Sequence, residues 1–396
     1  MDDLKQAVCE GINKAATELH DISQDIWSNP ELNYEEKHAH DVLTSYLEKK
    51  GFHVDKKYKI DTAFRASIGS KDNGPHVAVI CEYDALPEIG HACGHNLIAE
   101  SGVAAGIGVK AAFEKAGKPL GCLSVIGTPA EEGGGGKVVL IKEGVFDDVD
   151  VAMMLHPAPM DASTADFMMA VNMVKIKYIG KASHAAAFPW EGINALDAAV
   201  TCYQTISNLR QQMKPSWRVH GIISKGGVKP NIIPEEAELE YYIRTQSKSD
   251  LDLLTKKCVE CFESAAKSTG CKVEIKFGDR PYLNVISNLP LAEVFTKNCK
   301  LVGTGNHTAQ SNSLSGGSTD MGNVSYVVPS IHPCFYIGSD AVNHTRDFTK
   351  AAGDEKAQPY TLAQSKAMAM SAIDVFTNQQ LLQDIESKFK DDIKTA

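Results

Sequence analysis

The sequence predicts a two-domain α/β protein, a mixed α/β domain interrupted by a smaller α+β insertion. Three observations carry that expectation. The chain has 396 residues, too many for one comfortable core. Its first block alternates short apolar runs with helix-period runs, as strands joined by crossover helices do. Near residue 168 the texture changes to one-in-two alternation, which marks sheets with one wet face. The expected division is residues 1–168 and 284–396 for the larger domain and 169–283 for the insertion.

The larger domain opens with a helical run from Leu4 to Trp27, where Ile12, Ala16, Leu19, Ile22 and Ile26 recur at helical spacing. Asn29-Pro30 ends it, and a second run, Glu36 to Lys50, stops at Gly51. Strands are expected at Ala63–Ile68 and Val77–Cys81, on either side of the turn Asp72-Asn73-Gly74-Pro75. A helix from Leu97 towards Lys115 leads to a strand at Leu123–Gly127, then to Thr128-Pro129-Ala130-Glu131-Glu132 and four glycines. A short helix over Lys137–Glu143 and a strand running out into Leu155-His156-Pro157 close the block.

In the insertion, Val174–Tyr178, Leu239–Ile243 and Lys272–Phe277 alternate, with helical runs Ile193–Gln212 and Asp250–Lys267 between them. That pattern fits a four-stranded antiparallel sheet with two helices on one face. Afterwards α/β character returns: a helix from Leu289, a strand near Pro329–Tyr336 and a long helix from Tyr360 to Phe376.

Composition excludes several function classes. A net charge of −10 argues against a nucleic-acid surface, which needs a concentrated basic face. The start, Met1-Asp2-Asp3-Leu4-Lys5, lacks the apolar core of a signal peptide. No stretch reaches the ~20 apolar residues of a membrane span. Ten cysteines without framework spacing suggest reduced thiols, so a cytoplasmic location is expected.

Chemistry concentrates in a few places. Cys93 and His95 flank Gly94 between a strand and a helix, and no helix face brings residues two apart together. They therefore read as loop or first-turn donors, a soft and a borderline metal ligand side by side. Asn96 is a plausible N-cap for the helix that follows. Glu131-Glu132 follow a strongly apolar strand and precede four glycines; adjacent side chains diverge, so one carboxylate can ligate a metal while the other faces a substrate. The bland alternative is a solvated turn. His156 leaves a buried strand where open α/β sheets place their sites, and His344 lies in a loop that offers it no packing role.

These residues resemble the dinuclear-metal aminoacylases and amidohydrolases, a family that includes hippurate hydrolase, auxin-conjugate hydrolases and aminobenzoyl-glutamate hydrolase. The resemblance covers nearly the whole chain, through Glu82–Asn96, Thr128–Gly136, Gly180–Ala187, Gly226–Pro234 and Gly317–Pro333. It is closest to the branch of Xaa-Arg, or β-alanyl-lysine, dipeptidases. It implies a metallopeptidase catalytic domain whose ferredoxin-like insertion is a lid and the homodimer contact. It implies two divalent cations, Zn²⁺ or Mn²⁺, on Cys93, His95, Glu132, His156 and His344. Asp84 would orient a ligand, Glu131 would be the general base and His184 would stabilise the oxyanion. Asn231 and Arg244 would hold the amide and carboxylate ends of the substrate, and a hinge near residues 169 and 283 would close the lid. Most relatives carry aspartate where Asn96 stands, a lost charge that could alter metal preference.

The expected substrates are small dipeptides or N-acyl amino acids, with a basic C-terminal residue favoured by the branch. Three rivals stand beside this reading: an amidohydrolase of aromatic N-acyl amino acids, a metal-binding homologue without catalysis, and a cysteine hydrolase using Cys93 with His95. The last would survive a chelator.

Overall fold

Helices and strands follow the hydrophobic periodicity closely, and the computed structural model describes residues 1–165, 168–307 and 317–396. The chain opens with α1 (Asp3–Ser28), capped by the Asp2 carboxylate on the Lys5 N–H, and α2 (Lys37–Lys49). Next come β1 (His53–Lys56), β2 (Phe64–Gly69) and β3 (His76–Cys81), then α3 (His95–Ala116), β4 (Cys122–Gly127) and α4 (Gly136–Lys142). Two short strands, β5 (Val151–Met153) and β6 (His156–Ala158), complete this block. The second block holds β7 (Ala170–Ile179), α5 (Ala195–Asn208), β8 (Arg218–Lys225), β9 (Glu236–Thr245), α6 (Lys248–Thr269) and β10 (Lys272–Phe277). The chain ends with α7 (Leu289–Leu301), α8 (Met321–Ser325), β11 (Ser330–Ile331), β12 (Cys334–Tyr336), α9 (Arg346–Ala352), α10 (Ala357–Thr377) and α11 (Gln379–Thr395).

Among the described residues the chain forms two compact units, one holding the first and last blocks and the other holding residues 168–284 with Gly317 and Ser318. The larger unit is built on a mixed six-stranded sheet in the order β1-β2-β4-β3-β5-β11. Strands β4, β3, β5 and β11 run parallel, whereas β2 is antiparallel to both of its neighbours, β1 at the edge and β4. β3 and β4 are buried along their whole length, which is why both read as continuous apolar runs. Helix α3 is buried almost throughout its first four turns, and Gly102 makes that possible: a Cβ there would lie 3.0 Å from the Ile80 carbonyl and closer still to the Cys81 sulfur.

The expected single strand near Pro329–Tyr336 is two strands in different sheets. β11 extends the main sheet, and β12 pairs with β6 in a separate two-stranded ladder. His332-Pro333 separates them, because proline supplies no N–H to continue a ladder.

The smaller unit is a four-stranded antiparallel sheet in the order β10-β7-β9-β8 with α5 and α6. Along β9, Leu239, Tyr241 and Ile243 are buried while Glu240, Tyr242 and Arg244 alternate outward, as the alternation predicts.

Candidate active site

Because β3, β4 and β5 are parallel, their C-terminal ends share one edge, and the polar residues that follow each strand converge there. β3 delivers Glu82 and Asp84, β4 delivers Glu131 and Glu132, and the stretch after β5 delivers His156. Cys93 and His95 come from the turn into α3. The helix begins at His95 and is capped by Gly94 at φ 74°, so Asn96 is a first-turn residue and not the expected N-cap. Only glycine suits that turn: besides the left-handed φ, a Cβ on Gly94 would lie 2.6 Å from Pro157 Cγ.

Glu131 and Glu132 are held by a strained turn. Ala130 sits at φ 60°, and its N–H is held by the buried Glu36 carboxylate at 2.8 Å. Asp84 joins the two halves of the cluster. One oxygen accepts from His95 Nδ1 at 3.0 Å and the other from the Glu132 N–H at 2.9 Å. That bond commits Nδ1 of His95 and leaves Nε2 facing the cluster. Burial alone would raise the Asp84 carboxyl, but the charge and hydrogen bond of His95 outweigh it and hold it low.

Around this pair, Cys93 Sγ lies 3.5 Å from His156 Nε2, and His344 Nε2 lies 3.4 Å from Glu132 Oε1. His156 Nδ1 is taken by the Pro157 carbonyl at 2.8 Å, so its Nε2 also faces inward. His344 adopts φ 65°, and its N–H is tied to the Ala92 carbonyl at 2.8 Å. Three sets of donor atoms, Cys93–His95–His156, Cys93–Glu132–His344 and His95–Glu131–Glu132, each lie within 4.8 Å of one another. All five residues expected as ligands, and Glu131, are thus brought together.

The donor set fits a divalent cation pair. His95 Nε2, Glu132 Oε1 and Glu82 Oε2 are buried without a hydrogen-bond partner among the described residues, a cost of ~1–3 kcal/mol each that cations would remove. Burial pushes the Cys93 thiol up, helped by Glu132, and holds His156 down near 4. Glu131 is pushed well up by burial, then by Glu82, Glu132 and Asp320. Bound cations would draw the Cys93 thiol and the Glu131 carboxyl down and keep His156 unprotonated.

Asn96 faces elsewhere. Its Nδ2 donates to Ser23 Oγ at 3.0 Å and to the Ala352 carbonyl at 2.9 Å. A carboxylate cannot donate to that carbonyl, which accounts for the amide without any reference to metal preference.

Several site residues were not singled out in the sequence. Lys137 is wholly buried, paired with Glu82 and, at 2.7 Å, with Asp320. Asn343 Nδ2 donates to the Pro157 carbonyl at 3.1 Å and reaches Cys93 Sγ at 3.8 Å. A lysine at the start of an apolar helix, with acids at the end of β3 and just before α8, was the available signal. His332 packs edge-on against His156 with ring centroids 5.4 Å apart.

The remaining three candidates lie in the smaller unit. His184 is exposed, its backbone bridges to Ile232 and the Ala185 N–H meets the Asn231 carbonyl at 3.1 Å. The structure therefore brings His184 and Asn231 side by side. Arg244 is half-buried on the outer face of β9, donating to Ser318 Oγ at 2.8 Å and lying over Tyr242.

Fold and insertion define the class as two-domain peptidases: the model of the peptidase dimerisation domain matches residues 171–270. Among solved structures, a dinuclear-metal-binding M20 peptidase from Bacillus subtilis aligns with TM-score 0.67 and 21% identity, over 91% of this chain and 99% of its own. An aminobenzoyl-glutamate utilization protein from Klebsiella pneumoniae aligns with TM-score 0.70 and 17% identity, over 92% and 98%. By sequence, the chain is 51% identical to the Xaa-Arg dipeptidase of Mus musculus and 50% identical to that of Homo sapiens, over 98% of its length and 92% of theirs. The chain belongs to the M20 peptidase family, alongside these dipeptidases.

Proposed function

We propose that this chain hydrolyses the peptide bond of dipeptides with a basic C-terminal residue, using two divalent cations. The observation that carries the reading is its near 50% identity, end to end, with Xaa-Arg dipeptidases. Cys93, His95, Glu132, His156 and His344 would hold the cations, and Asp84 would orient His95 and, through its N–H, Glu132. When bound, the cations supply Lewis-acid polarisation of the scissile carbonyl and acidify the attacking water.

Glu131 takes the proton of that water and passes it to the leaving amine. Its burial supports this role, because a carboxylate without water around it holds a proton strongly. From the smaller unit, His184 would stabilise the oxyanion, while Asn231 and Arg244 would hold the substrate's amide and carboxylate. We assign the lid to residues 169–283, with hinges at both ends, and the homodimer contact to its matched dimerisation domain. All ten cysteines are free thiols, which supports a cytoplasmic setting. No helix among the described residues is long and apolar enough to cross a membrane.

The test is a panel of β-alanyl and γ-aminobutyryl dipeptides ending in lysine, ornithine, arginine or histidine, assayed with Zn²⁺ and with Mn²⁺. Basic dipeptides should be turned over and chelator should abolish the activity. Turnover of hippurate-like substrates alone would reassign the chain to the aromatic amidohydrolases. Glu131→Gln should lose ~10²–10⁴-fold in kcat with its metal retained; full activity in that variant would remove Glu131 as the base.

A further inference from the structure

Glu82, Glu131 and Asp320 place carboxylate oxygens within 4.8 Å of one another, and all three residues are buried. A dry cluster of three carboxylates is a ready site for a hard divalent cation. Here a side chain answers it. The Lys137 ammonium, wholly buried, pairs with Glu82 Oε1 and with Asp320 Oδ1, and its backbone N–H donates to Asp320 Oδ2 at 2.8 Å. Two of the three acids also face the other way. Glu82 Oε2 lies 3.6 Å from His95 Nε2, and Glu131 belongs to the donor set with His95 and Glu132. The lysine cluster and the candidate metal cluster thus share a wall.

We propose that Lys137 is a positioning residue that acts as a fixed internal cation. It fills the place of a third metal ion among Glu82, Glu131 and Asp320, and so holds Glu131 towards the catalytic donors. The inference rests on the two-cation reading given above. An ammonium is a compact point charge, and this one is anchored through α4, so no chelator can remove it. The acids behind Glu131 therefore keep their places when the cations are absent. Two consequences follow: the protein takes up two cations and not three, and Glu131 cannot swing away from the substrate side.

Lys137→Met keeps the length of the side chain and deletes its charge. Purified with Mn²⁺ and analysed by inductively coupled plasma mass spectrometry, it should carry one Mn²⁺ per chain more than the parent. Its kcat should fall ~100-fold, the penalty of a misplaced catalytic group, with KM little changed. Adding Asp320→Asn removes one acid of the extra site and should restore the parental metal count but not the parental kcat. If Lys137→Met fails to fold, Glu82→Gln/Lys137→Met relieves the unpaired charge; it should show the parental count and a low kcat. Parental metal count and kcat in Lys137→Met, or parental kcat in either double variant, overturns the proposal. A parent enzyme with fewer than two cations sinks the two-cation reading instead, and that comparison needs no variant.

Discussion

Glu100 offers a quantitative test of how far burial governs this fold. It stands on α3 one turn beyond Asn96, fully buried, with neither carboxylate oxygen in hydrogen-bond geometry among the described residues. Ser23 and Gln358 are its polar neighbours, and burial pushes its carboxyl from 4.5 up to about 8. The folded protein therefore holds a proton that the unfolded chain releases. Between pH 4.5 and about 8 the native state binds more protons, so stability falls as pH rises through that window. At 1.36 kcal/mol per pH unit the full interval is worth roughly 5 kcal/mol, of which local relaxation should leave ~2–4 kcal/mol. Glutamine matches the protonated acid in shape and cannot ionise. Glu100→Gln should match the parent in urea unfolding at about pH 3, below both values of the Glu100 carboxyl, where that side chain is neutral in both states. At pH 8.5 it should be more stable by the full amount. Both proteins are unfolded with chelator present, so cation binding does not contribute. An increment that does not change with pH, or a variant weaker than the parent at pH 8.5, would refute the reasoning.

Other outcomes follow from the same structure. Asn96→Asp removes the donor to Ala352 and places an acid among buried groups, so urea unfolding at pH 7.5 should show ~3 kcal/mol lost. Asn96→Ser, which buries no charge, should lose less. Gly136→Ala drives a Cβ into the Pro129 carbonyl, a backbone clash that should displace the Glu131–Glu132 turn; metal content and kcat should both fall. Glu236 is drawn down to about 2 by hydrogen bonds and charge from Lys177 and Lys225, yet the three sit in water. Its contribution, present above the ordinary carboxylate range and lost as pH falls towards 2, should be too small to detect. Glu236→Gln should leave the urea midpoint at pH 7 unchanged.

What could be read in the sequence was decided by periodicity and by local spacing. The alternation in β7, β9 and β10 and the long apolar runs of β3 and β4 marked both sheets, because each pattern has a single structural cause. Cys93, His95, Glu131 and Glu132 stood out because they crowd into turns with little reason to pack. Lys137, Glu82, Asp320 and Glu100 did not, since a charged residue in a helix or at a strand end usually faces water. Their burial is a tertiary fact, set by partners such as Asp320, which reaches the Lys137 backbone from 183 positions away. The helix start at Gly94 was missed for a related reason. Asn96 suits an N-cap locally, but its amide was committed to α1 and to the end of α9.

The tie between Asn343 and Cys93 spans 250 residues of sequence, and it bears on synthesis as much as on catalysis. Bringing the ends of so long a segment together costs about 5 kcal/mol of chain entropy. On the proposed ligand set, a chain still on the ribosome can display Cys93, His95, Glu132 and His156 well before His344 emerges. Such a chain owns its general base and most of its donors, yet the cation pair cannot be fully enclosed. On that ligand set, cation capture reports that synthesis has passed His344, the last imidazole needed to close the ring.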